Sequence, residues 1–151
     1  MATAFILLST ALRDAITGAP ALGATGKVLR GRGSVLASSD SKGVRIETLR
    51  SVGEPLDVAG AHVRWTSQLQ VAVLGRATAT QDAEQAIDDL LGQVWQRLGA
   101  IAMPAGSAER ITVSPQITWG VDEADTTVAQ AVFNLTVTHI TTAAALEAPA
   151  S

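Results

Sequence analysis

At 151 residues, 47% apolar and 17% charged, the chain is long enough for one globular domain and too apolar for a disordered one. The absence of cysteine excludes disulfide frameworks, thiolate zinc sites and cysteine nucleophiles. A net charge of −3, with only three Trp and two Phe, argues against a general nucleic-acid binder, which needs clustered cations and stacking rings.

The first residues, Met1 to Leu8, resemble a signal h-region, but no Lys or Arg precedes them and Arg13 and Asp14 cut the run short. No run reaches the roughly 18 apolar residues of a membrane span, so the expected setting is soluble and intracellular. Residues 3–17 read as a helix: Phe5, Leu8, Leu12 and Ile16 share a face, and Gly18 with Pro20 ends it. A small-residue connector, 19–26, leads to a short strand at 27–30. Residues 31–43 then read as a long mobile loop rich in Gly and Ser. A second strand spans 44–51, with Val44 and Ile46 alternating against Arg45 and Glu47, and 52–60 reads as a turn region around Gly53-Glu54-Pro55.

The chain is organised around residues 61–101. From His62 to Leu74 the pattern has period two: Val63, Trp65, Leu69, Val71 and Val73 point one way, and His62, Arg64, Thr66, Gln68 and Gln70 the other. A polar link, 76–80, precedes an apolar helical stripe of Ala83, Ala86, Ile87, Leu90, Leu91, Val94, Trp95, Leu98 and Ile101. Thr78 with Gln81 fits a capping box, and Thr80 is a rival N-cap with Asp82 and Glu84 in the first turn. Arg97 and Gly99 mark the far end. After a loop at 103–109, residues 111–121 give a strand with Ile117, Trp119 and Val121 on one face, then the turn Asp122-Glu123-Ala124-Asp125. The last strand, 127–141, turns Ala129, Ala131, Phe133, Leu135 and Val137 inward and Gln130, Asn134, Thr136 and Thr138 outward. Residues 142–151 read as a frayed tail after a single domain at 1–141. The order predicts an α+β fold, an α/β sandwich: a mostly antiparallel sheet of about five strands with two helices on one face.

Chemistry is thin. His62 and His139 lie near opposite ends of the two longest strands, without further ligands at metal-binding spacing. Gly26-Lys27 fails as a phosphate loop because Val28 occupies the Ser/Thr position, and Gly31-Arg32-Gly33 lacks the third glycine of a dinucleotide fingerprint. Asp88 and Asp89 diverge by about 100° on a helix and suit a solvated face. Catalytic, cofactor-binding and metal residues are therefore expected to be none, and the chain is not expected to be an enzyme.

Two features suit contact rather than catalysis. The outward residues Thr66, Gln68, Gln70, Asn134, Thr136 and Thr138 are polar but uncharged, as interface centres are, though a solvated Thr/Gln sheet has the same pattern. Charge is also lopsided. Residues 27–50 carry Lys27, Arg30, Arg32, Lys42, Arg45 and Arg50, whereas Asp82, Glu84, Asp88, Asp89 and the 122–125 turn are acidic. Complementary patches on one surface suit head-to-tail association.

The strand Trp65 to Leu74 running into a helix at 81–98, the acidic turn 122–125 before Val132 to His139, and Gly23-Ala24-Thr25-Gly26 followed by Val44 to Leu49 together resemble the tail terminator proteins of long-tailed bacteriophages, the minor tail protein U family. The resemblance covers roughly residues 4–140 as an order of elements. It implies a homo-hexameric ring in the virion neck, assembled in the host cytoplasm, that caps the tail tube, stops addition of tube protein and presents the surface that joins the head-completion or connector protein. DNA would pass through the lumen without sequence-specific binding, and no cofactor or membrane would be involved. On this reading Arg30, Arg32 and Lys42 are the polar anchors of a loop that orders against a neighbour. The alternatives are a head-completion or stopper protein of the same neck, or a small-ligand-binding or hydrolytic α+β domain using His62 or His139.

Overall fold

The structure, a computed structural model, describes residues 3–17, 26–30 (backbone alone), 42–77, 82–99, 110–121 and 127–147. In chain order the elements are α1 (Ala4–Thr17), β1 (Gly26–Arg30), β2 (Lys42–Pro55), β3 (His62–Arg76), α2 (Ala83–Gly99), β4 (Arg110–Val113), β5 (Thr118–Val121) and β6 (Val128–Thr142). One open sheet has the order β1-β2-β3-β6-β4, with β5 also on β6. Among the described residues, only β1 and β2 are parallel, and every other pairing is antiparallel. The α+β fold is as the alternation predicts, with the strand expected at 111–121 divided in two.

That division is an insertion. Val113 pairs with Leu135 and Thr118 with Val132, so the four residues 114–117 face two on β6. Pro115 lies in the gap and has no N–H for the ladder, which suits an interruption at an edge. The second irregularity lies in β2. Thr48 pairs with Leu69 and Arg50 with Gln68, leaving Leu49 as an extra, bulged residue. Before the bulge Val44 and Ile46 face the core; after it Ser51, Gly53 and Pro55 take that side, by register with Ser67, Trp65 and Val63. The bulge carries β2 on to Pro55, where the sequence reads as a turn.

One core lies between the sheet and both helices. Leu8, Leu12 and Ile16 of α1 and Ile87, Leu90, Val94 and Leu98 of α2 pack on Val44, Ile46, Leu69, Val71, Val73, Phe133 and Leu135. The 4-residue spacing on α1 and the 3-4 spacing on α2 put these side chains on a single stripe of each helix. Gly75 lets α2 sit close: a Cβ there would come within 2.8 Å of the Ala83 carbonyl and 2.9 Å of Ile87. Helix α2 is capped reciprocally, with Gln85 N–H donating to Asp82 Oδ1 at 2.8 Å and Asp82 N–H to Gln85 Oε1 at 3.3 Å. The N-cap is therefore Asp82. Thr78, Thr80 and Gln81 lie outside the described residues. At the other end Arg97 donates to the Ile16 carbonyl, tying the C-terminal ends of the two helices together.

Residues 142–147 carry backbone hydrogen bonds to the start of α1 and to Ala61 before β3. Ala4 N–H donates to the Leu146 carbonyl at 2.8 Å, Thr142 N–H to the Glu147 carbonyl at 2.8 Å and Ala143 N–H to the Ala61 carbonyl at 2.9 Å.

Candidate functional site

Register assembles the six uncharged residues into one block on the face of the sheet away from the helices. Thr66 pairs with Thr138, Gln68 with Thr136 and Gln70 with Asn134. The neighbouring strands extend these rows: Val52 and Arg110 flank the first, Arg50 and Thr112 the second, and Glu47 lies beside Gln70. Thr66, Gln68 and Asn134 are exposed; Gln70, Thr136 and Thr138 are half-buried. The block is thus a polar, neutral centre with Arg50 and Arg110 at its rims. Arg110 and Val52 belong to it only through pairings that no local pattern reveals.

Beside the block, the interruption between β4 and β5 leaves a cavity of about 280 Å³ lined by Gln70, Gln116, Thr118, Gln130, Val132, Phe133 and Asn134. Its lining is rich in amides and carries no charge. The Gln130 Oε1 atom is buried without a hydrogen-bond partner. Toward Gly75 the same face turns apolar: Ala72, Leu74 and Val128 are buried, with Val132 packed against them.

The other predicted residues lie elsewhere. Lys42 is the first residue of β2, opposite Gly26 and Gly75, rather than part of a loop, and it sits at the far end of β2 from the uncharged block. Arg30 ends β1 opposite Ile46. Arg32, the rest of the 31–41 segment and the acidic turn 122–125 lie outside the described residues. Asp88 is exposed on α2.

His62 starts β3 and His139 lies near the end of β6, at opposite ends of their strands as the sequence places them, and antiparallel pairing brings both to the same end of the sheet. They face opposite sides. His62 Nδ1 lies 3.1 Å from Asp57 Oδ2 in the β2–β3 turn, where Ala61 N–H also donates to Asp57 Oδ1 at 2.8 Å. The hydrogen bonds from His62 and from the Ala61 backbone hold the Asp57 carboxyl below the usual carboxylate range. His139 faces the core, with Nε2 2.9 Å from Ser67 Oγ, and Ser67 Oγ is 2.8 Å from Ser51 Oγ. A Ser–His contact resembles half of a nucleophilic triad, but Ser67 is 1% exposed and His139 Nδ1 has no partner to orient it. This hydroxyl–imidazole chain has no local sequence motif, and Ser67 is absent from the inward row that the sequence pattern names. Among the described residues, no three His, Asp or Glu side chains gather as metal ligands, and no helix is long and apolar enough to cross a membrane.

Among the described residues, both sides of the sheet end in strands with one free edge. Beyond Ile46 β1 stops, and residues 48–55 of β2 pair only with β3 among the described residues. On the other side β4 and β5 pair, among the described residues, only with β6. Apolar groups are exposed at both: Leu49 and Val52 on β2, and Trp119 and Val121, each 54% exposed, on β5.

No family model matches the chain, and no curated protein matches it. Among solved structures, it is similar to a chain of the virion of a native gene transfer agent particle, with 7% identity over 91% of this chain and 92% of that one and a TM-score of 0.48.

Proposed function

We propose that the chain is a structural virion protein that assembles head to tail through the two open sides of its sheet into a ring of the tail-terminator kind. Such a ring would cap the tail tube, end its growth and present a joining surface to the head. The observation that carries the reading is the pair of edges left unpaired among the described residues. Strand β2 runs antiparallel to β3, β3 to β6, and β6 to β4 and β5, so β2 and the β4–β5 edge run in opposite directions. A copy placed beside another in the same orientation therefore sets β2 against β4–β5 as antiparallel neighbours, continuing the ladder across the contact. Because the two surfaces differ, the contact is heterologous and closes into a ring when the rotation per subunit allows. Natural sheets blunt free edges with Lys, Pro or cover. Residues 48–55 instead expose Leu49 and Val52, with Pro55 only at the end.

The neutral block and the amide-lined cavity lie on the sheet face between those edges and add a polar surface to the subunit contact. Their hydrogen-bonding groups pair with a neighbour without the desolvation cost of burying charge. On this reading the Ser67–His139 pair is structural and the chain performs no catalysis.

Sedimentation velocity of the purified chain, alone and with tail tubes, tests the proposal. The expected result is a discrete ring several times the mass of the 15.5 kDa subunit. Leu49→Lys with Val52→Lys is expected to return the chain to monomers with an unchanged circular-dichroism spectrum. A wild-type chain that stays monomeric in both conditions sinks the reading.

A further inference from the structure

The end of the core nearest the β2–β3 turn holds an imidazole that has no room for a second proton. His139 is 0% exposed, its Nε2 meets Ser67 Oγ, and its Nδ1 is buried with no hydrogen-bond partner. A neutral ring fits with its proton on Nε2, donated to Ser67, whose hydroxyl is then directed to Ser51; Nδ1 is left as a bare acceptor. An imidazolium carries N–H on both nitrogens. One of them would be a donor without an acceptor, and a full charge would sit among rings and hydroxyls. Desolvation accordingly holds the imidazole pKa below its ordinary value of 6.5.

Among the described residues, no charge on the surrounding elements offsets this. From α1 the facing group is Phe5, while Arg13 and Asp14 pair with each other at the opposite end of the helix. Ser51 reaches the ring from β2 through Ser67, and by register Arg50 and Glu54 lie on the other face. From β3 the neighbours are Trp65 and Ser67, with His62 and Arg64 on the other face. Along β6 the same side carries Val137 and Thr141. Arg110 of β4 pairs with Thr138, again on the other face. Glu147 in the closing turn bonds Thr142 through its backbone.

The cover is thin and local. Phe5 stands edge-on to both His139 and Trp65, at ring separations of 5.0 and 5.2 Å, and is half-buried, so its far side meets water. It belongs to the first turn of α1, held to the chain end by the Ala4 to Leu146 hydrogen bond. Leu12 and Ile16 lie further along the helix in the main core.

We propose that this cluster is an acid-released latch: protonation of His139 frees the first turn of α1, with Phe5 as its lid, from the sheet while the rest of the helix stays docked. In the open form His139 titrates at its ordinary value, and in the closed form below it. The latch is therefore fully favoured above pH 6.5. As pH falls from there toward the depressed closed-state value, the closed-to-open ratio drops about tenfold per pH unit.

Amide-exchange protection at Ala4, Leu7 and Leu146, corrected for the intrinsic pH dependence of exchange, reads the latch directly alongside the NMR titration of the two histidine rings. Wild type is expected to lose protection about tenfold per pH unit below the ordinary histidine value. His139→Gln, which keeps a donor for Ser67 but cannot be charged, is expected to show a flat profile, and His62→Gln the wild-type one. Phe5→Leu removes the edge contacts and is expected to raise the His139 titration toward that ordinary value. The proposal is overturned by an equal loss of protection in His139→Gln. It is equally overturned if the His139 ring titrates while first-turn protection stays constant. Should His139→Gln fail to fold, the wild type decides: coincident midpoints for ring and amides support the latch, and separate ones reject it.

Discussion

The two ends of the β3–β6 pair obey different rules, although both strands are 15 residues long and pair throughout. At the Gly75 end every residue from Val71 to Gly75 is buried, so both faces of β3 are dry. At the other end Thr66 and Gln68 are exposed on one face, while the opposite face buries Ser67, His139 and Thr141. Trp65 Nε1 donates to Thr141 Oγ1 at 2.9 Å, so the polar core there is wired through side chains as well as packed. One end is held by apolar area alone, so lost volume is what weakens it. The other is held by a few oriented hydrogen bonds as well, so a lost partner weakens it too.

Substitutions separate the two regimes. The largest effect belongs to the dry end: Leu74→Ala removes a fully buried side chain from the face away from the helices and is expected to cost about 2–5 kcal/mol in urea unfolding. A cost under about 1 kcal/mol would mean that this face is wet and the contrast wrong. Next comes Ser67→Ala, which leaves His139 Nε2 without its partner and is expected to cost about 1–3 kcal/mol by the same measurement. The smallest is Thr66→Lys with Gln68→Lys on the open face of the polar end. Subunit stability should stay within about 0.5 kcal/mol, while self-association in sedimentation falls sharply. Unchanged association would remove the neutral block from the interface.

Much of the frame is legible in the residues because it is periodic. Val63 to Val73 and Ala83 to Leu98 announce a strand and a helix, and the uncharged block follows once β3 and β6 are known to pair. What escapes the sequence is pairing geometry. Nothing around Leu49 marks a bulge, since neither Gly nor Pro punctuates it, and so the strand is read as ending at Ser51. Pro115 did mark the interruption of the β4–β5 edge, but a period-two pattern continuing to Trp119 and Val121 overrides it. Thr78 and Thr80 are the N-caps that the sequence suggests, with Asp82 read into the first turn, whereas the cap is Asp82 itself, paired with Gln85 three residues on. His139 and Ser67 are 72 residues apart, and only the antiparallel register makes them neighbours. Charge asymmetry is the least transferable signal. Of its basic members, Lys42 opens a strand at the dry end, whereas Arg50 borders the neutral block.

The extra residue at Leu49 has an evolutionary consequence. It acts as a parity switch within β2: odd-numbered positions before it, such as Arg45 and Glu47, accept charge, and even-numbered ones, such as Arg50 and Glu54, accept it afterwards. A single-codon deletion at Leu49 would turn one half of the strand inside out against β3 while leaving every other amino acid in place. Tolerance to mutation along this strand should therefore invert across one residue, a signature that saturation mutagenesis of the gene would display as two interleaved stripes exchanging places.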